Sequence, residues 1–119
     1  MKPATLAALT SMLTLSGPSE AAPDVGSGNY MLQHCQHYIA NDRFDVWVGE
    51  CGGTIGTLLF LGNALPEGFK ICRPKGSTKE QAARVIVSYM QSNPEDLHED
   101  FRILAMTALS KAWPCKVVR

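Results

Sequence analysis

After residue 28, apolar residues recur at spacings of three and four along most of the chain, and that period is helical. Over 29–40 the stripe is Met31, Leu32, Cys35, Tyr38 and Ile39, closed by Asn41 and Asp42. Asp42 can cap a second helix, in which Phe44, Trp47, Val48, Cys51, Ile55, Leu58 and Leu59 keep the spacing. A loop follows over 63–68, and Phe69-Lys70-Ile71-Cys72 is long enough only for an extended strap over the core. Ser77 with Glu80, or Thr78 with Gln81, then meets the capping-box spacing and opens a third helix that runs to about Gln91. Its apolar residues, among them Ala82, Val85, Ile86, Val87 and Met90, cover so much of its surface that it should be central. Asn93-Pro94-Glu95-Asp96 reads as a cap, a proline at the first helical position and two acids facing the helix dipole. The fourth helix starting there buries Leu97, Phe101, Leu104, Ala105, Ala108, Leu109 and Ala112, and Pro114 ends it. The pattern predicts an all-α, four-helix domain built from two antiparallel helical hairpins.

The second helix carries Gly49, Gly52, Gly53 and Gly56, each less favourable than Ala by about 1 kcal/mol inside a helix. A backbone packed closely against that face would compensate; one from this chain is the favoured source, ahead of a second copy.

The first residues do not follow the helical pattern. Lys2 is the only charge before Glu20, and 4–15 is an apolar run diluted by Thr5, Thr10, Ser11 and Thr14 and stopped by Gly17 and Pro18. A positive start, a short apolar stretch, a break and small residues are the parts of a secretory leader in order, with cleavage expected after Ala21. The run is too short and too polar for a membrane span, which needs about 20 apolar residues. The expected organisation is a signal peptide over 1–21, a flexible Gly-, Pro- and Ser-containing spacer over 22–28, and the helical domain over 29–119.

An exported domain of this size has a thin core, and cross-links are a common supplement. Cys35 and Cys51 lie at similar distances from the turn between helices one and two, and Cys72 and Cys115 at similar distances from the turn near Pro94. Antiparallel hairpins bring each pair to one height, so Cys35–Cys51 and Cys72–Cys115 are the expected disulfides among the three possible connectivities.

Eleven Lys and Arg balance eleven Asp and Glu, so there is neither a nucleic-acid footprint nor a charge excess for membrane binding. His34-Cys35-Gln36-His37 suggests a metal site or a Cys-His pair, but residues two apart on a helix point to nearly opposite sides, and a disulfide removes the thiolate. Both histidines then read as exposed helix residues. His98 among Glu95, Glu99 and Asp100 has no nucleophile beside it, and the acids suit a helix start. Trp47 and Trp113 read as core. No cofactor, metal or catalytic site is expected, which favours a binding protein over an enzyme.

The order of motifs goes further. Cys72-Arg73-Pro74-Lys75-Gly76-Ser77-Thr78, then Gln81, Val85 and Tyr89, Asn93-Pro94-Glu95 with Leu97-His98, and Trp113-Pro114-Cys115 resemble the C-terminal half of the Rap/Tai family. Ser27-Gly28-Asn29-Tyr30 ahead of Cys35 is similar in the N-terminal half. These are small periplasmic immunity proteins against type VI secretion amidase toxins. The resemblance implies a disulfide-stapled helical inhibitor, often a homodimer, that binds and occludes a cell-wall amidase. It also implies that the loop of Gln91, Ser92, Asn93, Pro94 and Glu95 enters the toxin's cleft. The competing reading is a periplasmic stress protein or holdase without a cognate toxin, which a strongly charged, loosely packed domain would favour; the balanced charge and broad apolar faces argue against it.

Overall fold

The computed structural model describes residues 22–116 and, ahead of them, positions 2–5, 7, 8, 10, 11 and 17; most of the expected leader and its cleavage point lie outside the described residues. The described residues form four α-helices: α1 (Gly28–Ala40), α2 (Val46–Leu61), α3 (Lys79–Ser92) and α4 (Phe101–Ala112). Short 3-10 turns, Gly62–Ala64 and Pro94–Asp96, follow α2 and α3. No helix among the described residues is long and apolar enough to cross a membrane. As the spacing predicts, the fold is all-α, with α1 and α2 forming one antiparallel hairpin and α3 and α4 the other. α3 is central, packing against each of the other helices.

Each helix starts on a side-chain oxygen that covers backbone donors left free at a helix N-terminus. Ser27 Oγ accepts from Tyr30 N, and Thr78 Oγ1 accepts from Gln81 N at 3.1 Å, so Thr78 rather than Ser77 caps α3. α2 is capped by Asp45 rather than Asp42: its Oδ1 accepts from Trp47 N at 3.0 Å and Val48 N at 2.9 Å. Asp42 is engaged elsewhere, 2.8 Å from His37 Nδ1. Phe44 consequently lies ahead of the helix and is fully exposed instead of joining the buried stripe.

A second displacement occurs at α4. Asn93 does not cap it; its Nδ2 donates to Tyr89 O at 2.8 Å and closes α3 instead. The proline makes a single 3-10 turn, and α4 proper begins at Phe101 with Asp100 as its cap. Leu97 is therefore half-buried ahead of the helix, while Ala112 at the far end is exposed.

The reason for the delay is a long-range pairing. Gly28 N donates to Glu99 O at 2.9 Å, Asn29 N to Leu97 O at 2.8 Å, and Phe101 N to Gly26 O at 2.7 Å, around an antiparallel bridge between Ser27 and Asp100. Between the 3-10 turn and α4 the chain makes a further turn and a bend over 97–99, held against the entry to α1 by these bonds, and reaches the bridge at Asp100. Gly26, Ser27 and Gly28, which composition places in a spacer, thus belong to the packed domain. A Cβ on Gly28 would overlap Leu104 Cδ1 and lie 3.0 Å from the carbonyl oxygen of Leu97. No side chain larger than hydrogen fits there without a shift of the Leu104 side chain or of the backbone at Leu97.

The core beneath these contacts includes Met31, Ile55, Ile86, Met90, Phe101 and Leu109. Both disulfides pair as the hairpins require. Cys35–Cys51 ties α1 to α2 with Cα atoms 5.5 Å apart, and Cys72–Cys115 brackets the second hairpin with Cα atoms 4.8 Å apart. Cys72 N also donates to Trp113 O at 2.8 Å, and Ile71 in the strap is buried, so the strap is fastened on both sides of Cys72. In the chain-entropy model, loops of this size contribute roughly 3 and 4 kcal/mol.

Replacing Gly28 with Ala forces a shift of Leu104 or of the 97–100 segment. We expect G28A to destabilise the fold by about 2 kcal/mol in a urea melt; an unchanged midpoint would show that the crossing is not tightly packed.

Two cap carboxylates sit below the ordinary carboxylate range. Asp45 is held down first by the backbone N–H of Val48 and also by that of Trp47, and Asp100 first by the Arg102 guanidinium. A carboxyl whose folded pKa lies below its unfolded value near 3.9 stabilises fully above that value. Its contribution disappears as the pH falls through the lower, folded value. The double variant Asp45→Asn/Asp100→Asn retains capping oxygens but cannot titrate, so its stability should fall less steeply below about pH 4 than that of the parent. Equal steepness in the two pH series would contradict this.

Candidate partner-binding surface

The turn between α3 and α4 is the feature that sequence reasoning singles out for partner contact, and its five residues come together as one ridge. Gln91, Ser92, Pro94 and Glu95 are exposed, and Asn93 is half-buried beneath them. The ridge is stiff for a connection. Asn93 N donates to Met90 O at 3.3 Å, Asp96 N to Asn93 O at 3.0 Å, and Glu99 N to Asp96 O at 2.9 Å. With the Asn93 side chain also bonded to Tyr89 O, the backbone donors on which the ridge turns are largely satisfied internally, and the side chains of its crest face solvent.

The surroundings are acidic. Glu95, Asp96 and Glu99 lie within five residues, His98 Nε2 is 3.4 Å from Glu99 Oε1, and Asp100 is paired with Arg102 at 2.7 Å. The His98 side chain is 72% exposed. Among the described residues no group of three or more His, Cys, Asp or Glu could hold a metal ion.

His34 departs from expectation. It is buried at 6% exposure, not on the surface, and neither ring nitrogen has a hydrogen-bond partner. Its ring packs 4.7 Å from that of Tyr30, and Trp47 stands edge-on to Tyr30 at 5.4 Å. The nearest charge is Asp45 Oδ1, 3.9 Å from Nδ1. The cause is the width of the buried stripe: α1 packs on both α2 and α3, so the positions beside Cys35 are covered as well. The spacing of Leu, Met and Ile carries no signal for this, because an imidazole is read as polar. His37 is half-buried and paired with Asp42. Trp113 is core, whereas Trp47 is only partly covered.

The glycines of α2 divide into two sets. A Cβ on Gly52 would lie 2.7 Å from the Tyr38 ring, and one on Gly56 would lie 3.2 Å from Lys79 Nζ, so these two accommodate neighbours in the chain. Gly49 and Gly53 face open space. They lie on the outer side of α2 between Val46 and Phe60, which are 75% and 88% exposed.

No curated protein and no solved structure matches the chain. A family model does: that of the Rap1a immunity proteins, over residues 21–115. The matched stretch takes in the pairing at the entry to α1, all four helices, the α3–α4 turn and both disulfides. By that match, which covers most of its length, the chain belongs to the Rap1a immunity protein family.

Proposed function

We propose that this protein is a periplasmic immunity protein that binds a type VI secretion peptidoglycan amidase and occludes its active site, with no chemistry of its own. The observation that carries this reading is the α3–α4 ridge. Gln91, Ser92, Pro94 and Glu95 project from a backbone already fixed by its own hydrogen bonds, so inserting them into a cleft requires little ordering on binding. Family membership supports a toxin as the partner. Export fits the remaining features: the family match begins at residue 21, one residue before the expected start of the mature chain at Ala22, and two disulfides suit an oxidising compartment.

The homodimer implied by the family resemblance is supported by the outer face of α2. Gly49 and Gly53 destabilise an isolated helix, by about 1 kcal/mol each relative to Ala, and nothing among the described residues packs there to offset it. The backbone of a second copy laid between the exposed Val46 and Phe60 would do so.

The first test uses the mature chain and a panel of purified Cys-His peptidoglycan amidases, beginning with any encoded beside its gene. Stoichiometric binding and loss of amidase activity are expected. The triple variant Gln91→Ala/Pro94→Ala/Glu95→Ala should weaken binding by about tenfold or more while melting like the parent. Amidases that retain full activity in excess inhibitor would contradict the reading.

For the dimer, Gly53→Leu should shift sedimentation from dimer to monomer without loss of helical signal. A parent that sediments as a monomer at tens of micromolar, or a variant that stays dimeric, would remove the α2 face from the account.

A further inference from the structure

Beside the ridge, an open groove of about 570 Å3 runs between α3 and α4. One wall is an α3 stripe, Gln81, Arg84, Val85, Ser88, Tyr89 and Ser92, in steps of three and four residues and about 16 Å long. The other wall is Ala108, Lys111 and Ala112 of α4. The groove exists because that wall is built largely from alanine: where α4 could have filled the gap with a larger side chain, it leaves the flank of Tyr89 and Val85 uncovered.

Its charge is opposite to that of the ridge. No carboxylate lines the groove, whereas Arg84 and Lys111 both do, and neither forms an ion pair among the described residues. Lys111 Nζ is positioned over the Tyr89 ring, 5.3 Å from its centroid, so this cation has a preferred place at the groove. The overall balance of eleven positive and eleven negative side chains conceals this local arrangement of an acidic turn next to a basic, apolar channel. Ser92 and Asn93 belong to both the ridge and the groove, so a partner seated on one continues onto the other.

We propose that this groove is a second contact area for the amidase, receiving a surface segment in which an apolar side chain is flanked by a carboxylate. The apolar group covers Val85 and the Tyr89 face, and the carboxylate meets Arg84 or Lys111. This rests on the amidase-inhibitor reading and adds to it: the ridge blocks the cleft, and the groove selects which amidase is held. A free small anion fits less well, because most of the channel offers it only apolar wall.

The experiment takes the amidase of the panel that binds the mature parent most tightly and measures its dissociation constant as a function of NaCl. Two variants are compared with the parent. Arg84→Glu/Lys111→Glu reverses the charge, and Ala112→Trp fills the channel from an exposed position that leaves the core untouched. Each should bind about tenfold more weakly with an unchanged thermal melt, and the charge-reversal variant should lose the parent's weakening with salt. Parent-like affinity in both variants would overturn the groove while leaving the ridge and the inhibitor reading intact. A parent that binds no amidase would overturn both. Co-sedimentation with phosphatidylglycerol vesicles that is abolished by charge reversal, with amidase binding unaffected, would assign the groove to a lipid surface and overturn the proposal.

Discussion

Three backbone hydrogen bonds between residues 26–29 and 97–101 join the start of α1 to the start of α4, and Gly28 allows the two backbones to lie close enough to make them. Each hairpin has its own disulfide, so neither bridge fixes one hairpin against the other. That task falls to core packing and to this crossing. It also decides where the exposed ridge sits. The chain leaves α3 through a 3-10 turn, passes through a second turn held against the α1 entry by these bonds, and only then resumes as α4. Pro94 itself cannot continue α3, because it has no N–H to donate, and the pairing sets the start of α4 at Phe101 instead of at the proline.

Much of this fold was legible from spacing. Apolar residues at intervals of three and four gave the helices, and equal distances from the two turns gave the disulfides, because antiparallel geometry leaves little freedom once the turns are known. What spacing could not supply were choices between equivalent local options. Asp42 and Asp45 are both competent caps three residues apart; His37 engages the first, leaving the second to start α2. Asn93 has a cap's chemistry but spends its amide on Tyr89 O, because the true start of α4 is set by a segment some 70 residues earlier in the chain. Long-range pairing of this kind leaves no periodic trace; its only sequence sign is the Gly at 28.

The candidate surface was legible in a different degree. The ridge was indicated by family resemblance alone; the competing reading of the same residues as the cap of α4 gives way, since Asn93 closes α3 and Asp100 caps α4. The groove had no sequence signature. Its members are spread over α3 and α4, and its defining property is the smallness of Ala108 and Ala112, which periodicity counts only as apolar. The buried His34 was equally hidden, since only the packing of α1 against two helices covers it.

The protein presents an acidic ridge and an adjoining basic groove, and the outer face of α2 is open; under the proposed function the first two hold the amidase and the third another copy. Hydrogen–deuterium exchange of the mature protein, free and with the amidase that binds it most tightly, tests this most directly. Added protection is predicted over 81–95 and 107–112, with the α2 segment 46–60 unchanged by the amidase. Protection concentrated on α2, with 81–95 exchanging as in the free protein, would contradict it.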